Sequence, residues 1–389
     1  MPAICKSLKS LICGLFSLCL LNGNIVMSET VRVYVGTYTR NGKSEGIYQF
    51  DLDAKTGQPS APRAVARVTN PSFVAFDPKH QYLYSVAEVS DFPGADGPAG
   101  GVAAFRIDPK SGDLSPLNEQ LSGGAGPCHV SVDATGKNVL VANYGGGSCG
   151  CLPVREDGSL GKMSSFHQHQ GSSVNPRRQE GPHAHSINVS PDNQFAMVAD
   201  LGLDQILVYK FDPDQHTLTP HDPPSVSTHP GAGPRHFSFH PSGKFAYNCN
   251  EMQMTATAYA YDAQQGVLTP LQTITTLPDG GAGDNDSTAE CLVHPSGKFV
   301  YISNRGHDSL AIFQVQGDGT LKPAGHAPTL GEIPRNFGIT PDGRFVLAAN
   351  QNSDTIVVFR VDLKSGALTP TGDRIEVPSP VCVRMFAVE

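Results

Sequence analysis

The sequence has no tryptophan and no excess of basic charge. Its 389 residues include 28 Lys and Arg against 36 Asp and Glu, which gives a formal net charge of −8. Proteins that bind nucleic acid through its phosphates usually carry a basic face, whereas the longest basic run here is the pair Arg177-Arg178. We therefore expect no nucleic-acid partner.

Long hydrophobic runs are also absent. The apolar stretch from Leu11 to Leu21 is too short to span a bilayer comfortably. Lys6 and Lys9 precede it, and small or polar residues follow it, an order typical of a secretory signal. The sequence thus predicts a signal peptide over residues 1–28, a mature domain over 29–389 with no stable membrane span, and export to the periplasm or the cell exterior. If the segment is not a functional signal, the protein is cytoplasmic.

Cysteines become sparse once that segment is set aside, because only six of the nine lie beyond it. Their spacing fits no zinc pattern, and they are too few for a disulfide framework, although individual disulfides stay open. The pairs His167/His169 and His183/His185 have a spacing that suits zinc, and residues 279–286 are rich in oxygen ligands without EF-hand spacing. We interpret the chain between the histidine pairs and the 279–286 run as loops, and expect no metal and no other cofactor.

Glycine and proline are abundant, at 41 and 31 residues, so turns are plentiful. One turn signature recurs six times at steps of 46 to 57 residues. It consists of a small or polar residue, often Pro, followed by Gly or another turn former. The second residue of each turn is Pro78, Ala134, Pro191, Pro241, Pro295 and Pro341. Each turn lies between two short apolar runs, which indicates a β-hairpin.

A third and a fourth extended segment follow each hairpin, and no helical periodicity intervenes. Four strands per unit of about 50 residues predict the blades of a β-propeller. The third-strand pattern occurs seven times, whereas only six hairpin turns exist. We therefore predict an all-β, seven-bladed propeller in which Val31–Tyr38 and Val381–Met385, from the two termini, pair to complete the seventh hairpin and close the ring.

Counting from the turns places polar residues at the ends of the two inner strands of each blade, around one mouth of the central channel. Asn250, Asn304 and Asn350 recur at one position, which favours a structural role. Residues that break the repeat are more informative, because a structural role is expected in every blade. These residues are His185, Arg235, Glu251, Glu290, Arg305 and Arg335.

The residue types that break the repeat suit an acidic substrate. Arginine binds phosphate or carboxylate through two parallel hydrogen bonds. Glu251, between arginines, is expected to stay ionised and to activate a water molecule, and His185 suits proton transfer near neutral pH. The alternative is that the same residues form an inter-blade ring of salt bridges.

Seven segments of the chain resemble a known family, the propeller lactonases, which include the propeller type of 6-phosphogluconolactonase and the fungal carboxy-cis,cis-muconate cyclases. The matching segments are 34–38, 181–185, 199–204, 233–236, 250–251, 303–306 and 334–337, so the resemblance extends over roughly residues 31–388. By motif it implies a His, two Arg and a Glu at the channel mouth, with His183 and His185 both candidates for the histidine. It also implies an enzyme that needs no metal.

These observations predict a carboxylic ester hydrolase, similar to 6-phosphogluconolactonase, that opens the ring of a small anionic lactone. Two alternatives remain: an exported lactonase or muconate-type cyclase acting on an unphosphorylated acid, and a non-catalytic propeller that binds a protein partner. The predicted catalytic residues are Glu251, His185, Arg235 and Arg305. The predicted substrate-binding residues are Arg335, His183, His236, Glu290, Asp200, Asn143, Tyr144 and Glu88.

Overall fold

A computed structural model describes residues 1–2, 29–278, 283 and 286–388. Nearly all of the predicted signal peptide, residues 3–28, lies outside the described residues. So does most of the 279–286 run, whose oxygen ligands lack EF-hand spacing.

The described chain forms seven antiparallel sheets of four strands each, as predicted, and these sheets are the blades of a propeller. Blade 1 contains the last strand with the first three, and blades 2 to 7 follow in chain order, four strands each. The strands are β1 Thr30–Thr37, β2 Ile47–Asp53, β3 Arg63–Ala66, β4 Val74–Phe76, β5 Tyr82–Ala87, β6 Gly101–Ile107, β7 Leu114–Leu121, β8 Pro127–Val132, β9 Asn138–Asn143, β10 Ser148–Pro153, β11 Ser165–Gln168, β12 Ala184–Val189, β13 Phe195–Asp200 and β14 Gln205–Asp212. The remaining strands are β15 Thr217–Ser227, β16 Pro234–Phe239, β17 Phe245–Asn250, β18 Thr255–Asp262, β19 Val267–Thr275, β20 Ser287–Val293, β21 Phe299–Arg305, β22 Ser309–Val315, β23 Leu321–Pro328, β24 Pro334–Ile339, β25 Phe345–Asn350, β26 Thr355–Val361, β27 Leu368–Glu376 and β28 Pro380–Ala387.

The two chain termini share blade 1, which confirms the predicted ring closure. β28 is the innermost strand of this blade and pairs antiparallel with β1, for example Val33 with Met385 and Val35 with Val383. The innermost strand of blade 1 therefore comes from the C-terminal end of the chain.

Second strands are buried over all or nearly all of their length, because both faces of each blade pack against a neighbouring blade. All six residues of β9 and of β25 are buried. Side chains on both faces of the second strands therefore pack into an inter-blade core, and neither face is turned to water.

Successive blades are joined by a contact that repeats around the ring. Tyr247 in β17 donates a hydrogen bond of 3.0 Å to the carbonyl of Gly319 in the next blade, and Tyr34, Tyr84 and Tyr301 make the equivalent bond. Gly57, with φ of +83°, lies against the Phe345 ring of blade 7. A Cβ at this glycine would lie 2.4 Å from the ring, so only glycine satisfies both the backbone and the packing.

The single helical element among the described residues is a 3₁₀ turn at Gln351–Ser353. The described chain therefore contains no helix that is long and apolar enough to cross a membrane. The six cysteines beyond residue 28 are buried free thiols.

Candidate functional site

β-bulges at the mouth end of the innermost strands set the direction of the site residues. In blade 4 the pairing passes from Ala184–Asp200 to Ser186–Ala199, which leaves His185 as the extra residue. Arg335 is the extra residue in the same way in blade 7, and Arg235 lies in a two-residue irregularity of blade 5. A bulge turns the side chain it contains and is common beside active sites.

A cavity of about 540 Å³ opens at this mouth, and all seven blades contribute to its lining. It is lined by Tyr38, Arg40, Asn41, Glu88, Cys128, Tyr144, Arg178, His185, Glu251, Arg305, Arg335, Gln351 and Ser379. Four arginines and two glutamates are included, so the lining carries two net positive charges. A concave, positively charged pocket of this kind favours a small anion.

Glu251 is the centre of the charged cluster. Its Oε2 lies 2.9 Å from Arg235 Nε and 3.0 Å from Arg305 Nη2, and its Oε1 lies 2.6 Å from Arg178 Nη2. Burial by itself would raise the pKa of this carboxyl, but the three guanidinium groups hold the pKa well below its usual value. Glu251 is therefore an anion at every physiological pH.

The arginines around Glu251 differ in their surroundings. Burial lowers the pKa of Arg305 to about 10, with Glu251 opposing the shift and Arg235 and Arg335 adding to it. Its Nη2 also donates 2.9 Å to the carbonyl oxygen of Thr288, and its Nε has no hydrogen-bond partner among the described residues. Arg305 thus remains cationic at neutral pH, and its buried Nε is a donor that no described residue uses.

His185, from β12 of blade 4, also lines the cavity. Its Nδ1 lies 3.7 Å from Cys128 Sγ, and its ring packs edge-on against Tyr144 and His236. Burial, with Arg235 next in effect, lowers the pKa of His185 well below its usual value. The imidazole is therefore neutral near pH 7.

Arg335 stands out because none of the ion pairs among the described residues involves it. Its Nη2 donates 3.0 Å to the hydroxyl of Tyr38, whose hydroxyl lies 3.0 Å from Glu88 Oε2. Glu88 is in turn paired with Arg40 at 2.7 Å and hydrogen bonded to Ser72. Arg335 is thus a cation of the cavity lining that has no carboxylate within ion-pair distance among the described residues.

A second charged group lies deeper in the channel, beneath the mouth. Glu290 Oε1 is 2.8 Å from His236 Nδ1, and its Oε2 accepts hydrogen bonds from Asn336 and from Arg384. Burial lowers the pKa of His236 to about 4, although Glu290 opposes the shift. His236 and Glu290, both predicted to bind substrate, thus contact the back of the site and do not line the cavity at the mouth.

The other predicted residues divide into two groups. Tyr144 and Glu88 line the cavity with the predicted catalytic residues Glu251, His185 and Arg305, and Arg235 lies directly behind Glu251. His183 stacks on Tyr144 at 4.6 Å and binds its carbonyl through Nδ1.

Asn143 and Asp200 are not brought to the cavity, since both are completely buried. Asn143 donates to the carbonyl of Ser122, and Asp200 lies 2.6 Å from His169 Nδ1. Both belong to the position occupied in later blades by Asn250, Asn304 and Asn350, whose side chains also bond within the fold.

Arg178 is the main site residue that sequence reasoning missed. It lies in the 172–178 segment interpreted as an exposed loop, between β11 and β12. The only signal was the Arg177-Arg178 pair, and nothing in the spacing indicated that the second arginine reaches Glu251 of another blade.

Metal binding finds no geometric support in the described chain. Nowhere in it do three His, Cys, Asp or Glu side chains converge as metal ligands require. In the first of the two histidine pairs with zinc-like spacing, both rings have other partners, His167 the carbonyl of Leu218 and His169 the carboxylate of Asp200.

Comparison with known proteins places this geometry in a family. The family model described as lactonase, 7-bladed beta-propeller, matches residues 32–385. A 6-phosphogluconolactonase of Bacillus subtilis is 40% identical over 354 residues, which cover 91% of this chain and 97% of that protein. A 6-phosphogluconolactonase of Formosa agariphila is 36% identical over 358 residues, covering 91% and 99%.

A solved structure agrees with the sequence matches. The periplasmic gluconolactonase of Pseudomonas aeruginosa superposes with a TM-score of 0.86 at 36% identity, over 92% of this chain and 100% of that one. The resemblance read from the motifs is confirmed, and so is the prediction of a carboxylic ester hydrolase. The chain belongs to the seven-bladed β-propeller lactonase family.

Proposed function

We propose that this lactonase opens the ring ester of an acidic sugar lactone, with 6-phosphogluconolactone as the leading substrate. The observation that carries the proposal is the juxtaposition of Arg335, which has no carboxylate partner in the described chain, with the ionised Glu251 cluster in one small cavity. The names of the Bacillus subtilis and Formosa agariphila relatives support this substrate.

Hydrolysis needs a base for water and a cation for the oxygen that becomes negative. In the proposed reaction Glu251, helped by the neutral His185, takes a proton from water as the water oxygen bonds to the lactone carbonyl carbon. Arg305 stabilises the oxyanion, and the substrate's anionic group rests on Arg335. The ring C–O bond then breaks, the ring oxygen receives a proton to become a hydroxyl, and the new carboxylic acid ionises.

Whether the natural substrate is phosphorylated is the finer question, because the Pseudomonas aeruginosa relative is named a gluconolactonase. Two net positive charges on the cavity lining favour a dianion such as a phosphate monoester over a neutral sugar lactone. A plain, neutral sugar lactone would use the same base with one anionic contact fewer. We favour the phosphorylated substrate on charge.

The non-catalytic alternative gains no support from the surface. A protein-binding propeller is expected to present a broad apolar patch at its rim. Within the part of the chain that the structure describes, the large exposed hydrophobic residues after Met1 come from different segments and are absent from the cavity lining: Phe166, Val174, Leu271, Leu330 and Leu363.

We also propose export through the 1–28 segment, which the periplasmic location in the name of the Pseudomonas aeruginosa relative supports. Fractionation of cells that express the full chain and a variant lacking residues 2–28 tests this. If the segment directs export, the product of the full chain is found outside the cytoplasm in a shortened form. The variant lacking residues 2–28 then stays in the cytoplasm. An uncleaved protein in the cytoplasm would contradict it.

A continuous assay of proton release tests the proposed reaction, with spontaneous hydrolysis subtracted. The wild type is compared on 6-phosphoglucono-δ-lactone and glucono-δ-lactone with Glu251→Gln, and with Glu332→Gln as a control at an exposed glutamate near the same mouth. We expect a loss of roughly 10²- to 10⁴-fold in kcat for Glu251→Gln, the range typical of a removed general base, and no change for the control. Full activity of a folded Glu251→Gln protein would sink the proposed mechanism.

A further inference from the structure

The three arginines on Glu251 are held very differently. The side chains of Arg235 and Arg305 are 2% and 12% exposed and come from strands, whereas that of Arg178 is 44% exposed and comes from a loop. A half-exposed ion pair is weak and exchanges readily, while a buried one is costly to break. Arg178 is therefore the partner that Glu251 loses most easily.

The backbone beside Arg178 is fixed, so exchange needs only side-chain rotation. Asn175 and Gln179 close a small turn, in which the amide of Gln179 donates 2.8 Å to the carbonyl of Asn175. The Gln179 side chain is buried and anchors this turn to the carbonyl of Leu201. Beyond the turn, the Arg178 guanidinium contacts Glu251 and the hydroxyl of Tyr144, the latter at 3.2 Å.

The two oxygens of Glu251 are not equivalent. Oε2 receives both buried arginines, whereas Arg178 is the one hydrogen-bond donor to Oε1 among the described residues. If Arg178 left, Oε2 would stay neutralised and Oε1 would face the cavity with free lone pairs. One rotation of a side chain thus converts a blocked carboxylate into an available base.

We propose that Arg178 makes this conversion depend on the substrate: it covers Glu251 Oε1 in the empty site and transfers to the anionic group of the bound lactone, which leaves Oε1 to accept the proton of the attacking water. This inference rests on the proposed lactone hydrolysis and adds a substrate-binding residue that also controls the base. The water proton goes to Oε1, and the water oxygen bonds to the lactone carbonyl carbon.

The electrostatics favour this exchange. A phosphate dianion offers Arg178 two charges and three acceptor oxygens, more than one shared carboxylate oxygen offers. Departure of Arg178 also removes one of the three cations that depress the pKa of Glu251, so the carboxylate becomes a stronger base. A neutral lactone provides no anion and leaves Arg178 on Oε1, and it is therefore turned over more slowly, not merely bound more weakly.

The decisive variant is Arg178→Ala, measured on 6-phosphoglucono-δ-lactone and on glucono-δ-lactone. Arg177→Ala is the matched control, because it removes the neighbouring exposed arginine. For Arg178→Ala we expect kcat/KM on the phosphorylated lactone to fall at least about tenfold, the usual loss for a charged hydrogen bond. On the neutral lactone we expect kcat to rise about two- to fivefold, the factor for freeing a half-exposed ion pair.

The pH profile provides a readout that a structural role would not move. With Arg178 gone, the acid limb of kcat on the neutral lactone is expected to shift to higher pH. Equal losses on both lactones, an unchanged Arg178→Ala enzyme, or an acid limb that does not move would overturn the proposal.

Failure of the proposed function is distinguishable from failure of this exchange. If the folded wild type hydrolyses neither lactone, the lactone reaction fails, and calorimetric titration with inorganic phosphate then tests Arg178 alone. Phosphate binding that weakens at least about tenfold in Arg178→Ala and not in Arg177→Ala supports transfer to an anion. Equal affinity in the two variants overturns it.

Discussion

Arg235 and Glu251 form a buried ion pair within one blade, with Nε of the arginine 2.9 Å from Oε2 of the glutamate. Their side chains are 2% and 8% exposed; Arg235 comes from β16, the innermost strand of blade 5, and Glu251 directly follows β17. Removing one partner of a buried ion pair lowers stability, since the charge that remains is buried with less compensation.

We predict that Arg235→Leu lowers the free energy of unfolding by about 3–5 kcal/mol, the range for a broken buried pair. The double variant Arg235→Leu/Glu251→Leu is expected to lose less than the sum of the two single losses, because the Arg235–Glu251 contact is removed in both single variants, although Arg305 and Arg178 then also lose their carboxylate. Urea unfolding of both variants and of Glu251→Leu completes the double-mutant cycle. Strictly additive effects would show that the pair is not coupled.

Arg335 is predicted to govern the affinity for the anionic group. Replacing it by Gln removes a cation that no carboxylate in the described chain neutralises, so KM for the phosphorylated lactone is expected to rise about ten- to a hundredfold. The effect on glucono-δ-lactone should be much smaller. Steady-state kinetics check this, with Arg374→Gln as the control at an exposed arginine of β27. An equal rise on both lactones would contradict anion binding by Arg335.

His236 is predicted to make stability depend on pH. Burial lowers its pKa from 6.5 to about 4, so between these values the unfolded chain binds a proton that the folded chain does not. Stability is therefore complete above pH 6.5 and falls as the pH drops toward 4, by a total on the order of 3 kcal/mol.

Urea unfolding at several pH values between 4 and 7 measures that slope. The His236→Gln variant should show a shallower dependence than the wild type, while His229→Gln, at an exposed histidine, should keep the full slope. An identical slope in all three proteins would rule out His236 as the source.

Gly57 is predicted to be far less replaceable than Gly42, although both have a positive φ, +83° and +71°. Alanine at Gly42 meets no atom within 4 Å and pays only the backbone cost of about 1–2 kcal/mol. Alanine at Gly57 also overlaps the Phe345 ring, which adds about 1–3 kcal/mol. Thermal unfolding of the two variants isolates the steric part. Equal destabilisation would mean that the ring moves aside freely.

The ring architecture was accessible from the sequence because the turn signature repeats and each strand type recurs at a constant distance from it. That regularity placed β28 beside β1 and gathered Glu251, Arg305 and Arg335 at one mouth. The same counting puts Asp200 and Glu251 at adjacent positions of equivalent strands, and it could not tell which of the two positions faces the cavity. Neighbouring strand positions point to opposite sides, and one of them faces the inter-blade core.

Bulges and loops account for the rest. A bulge adds a residue to one strand without a sequence signature here, so the orientation of His185 follows from the structure alone. Arg178 belongs to a loop whose path has no period, and its partner lies 73 residues further along the chain. Contacts of this kind depend on where a neighbouring blade is, which local spacing does not report.

The pairing of β1 with β28 also dictates when the molecule can become complete. Blade 1 has only three of its strands until residues 380–387 have left the ribosome, so the propeller ring cannot close before then. Ring closure is therefore a late step of folding, which follows the synthesis of the other six blades.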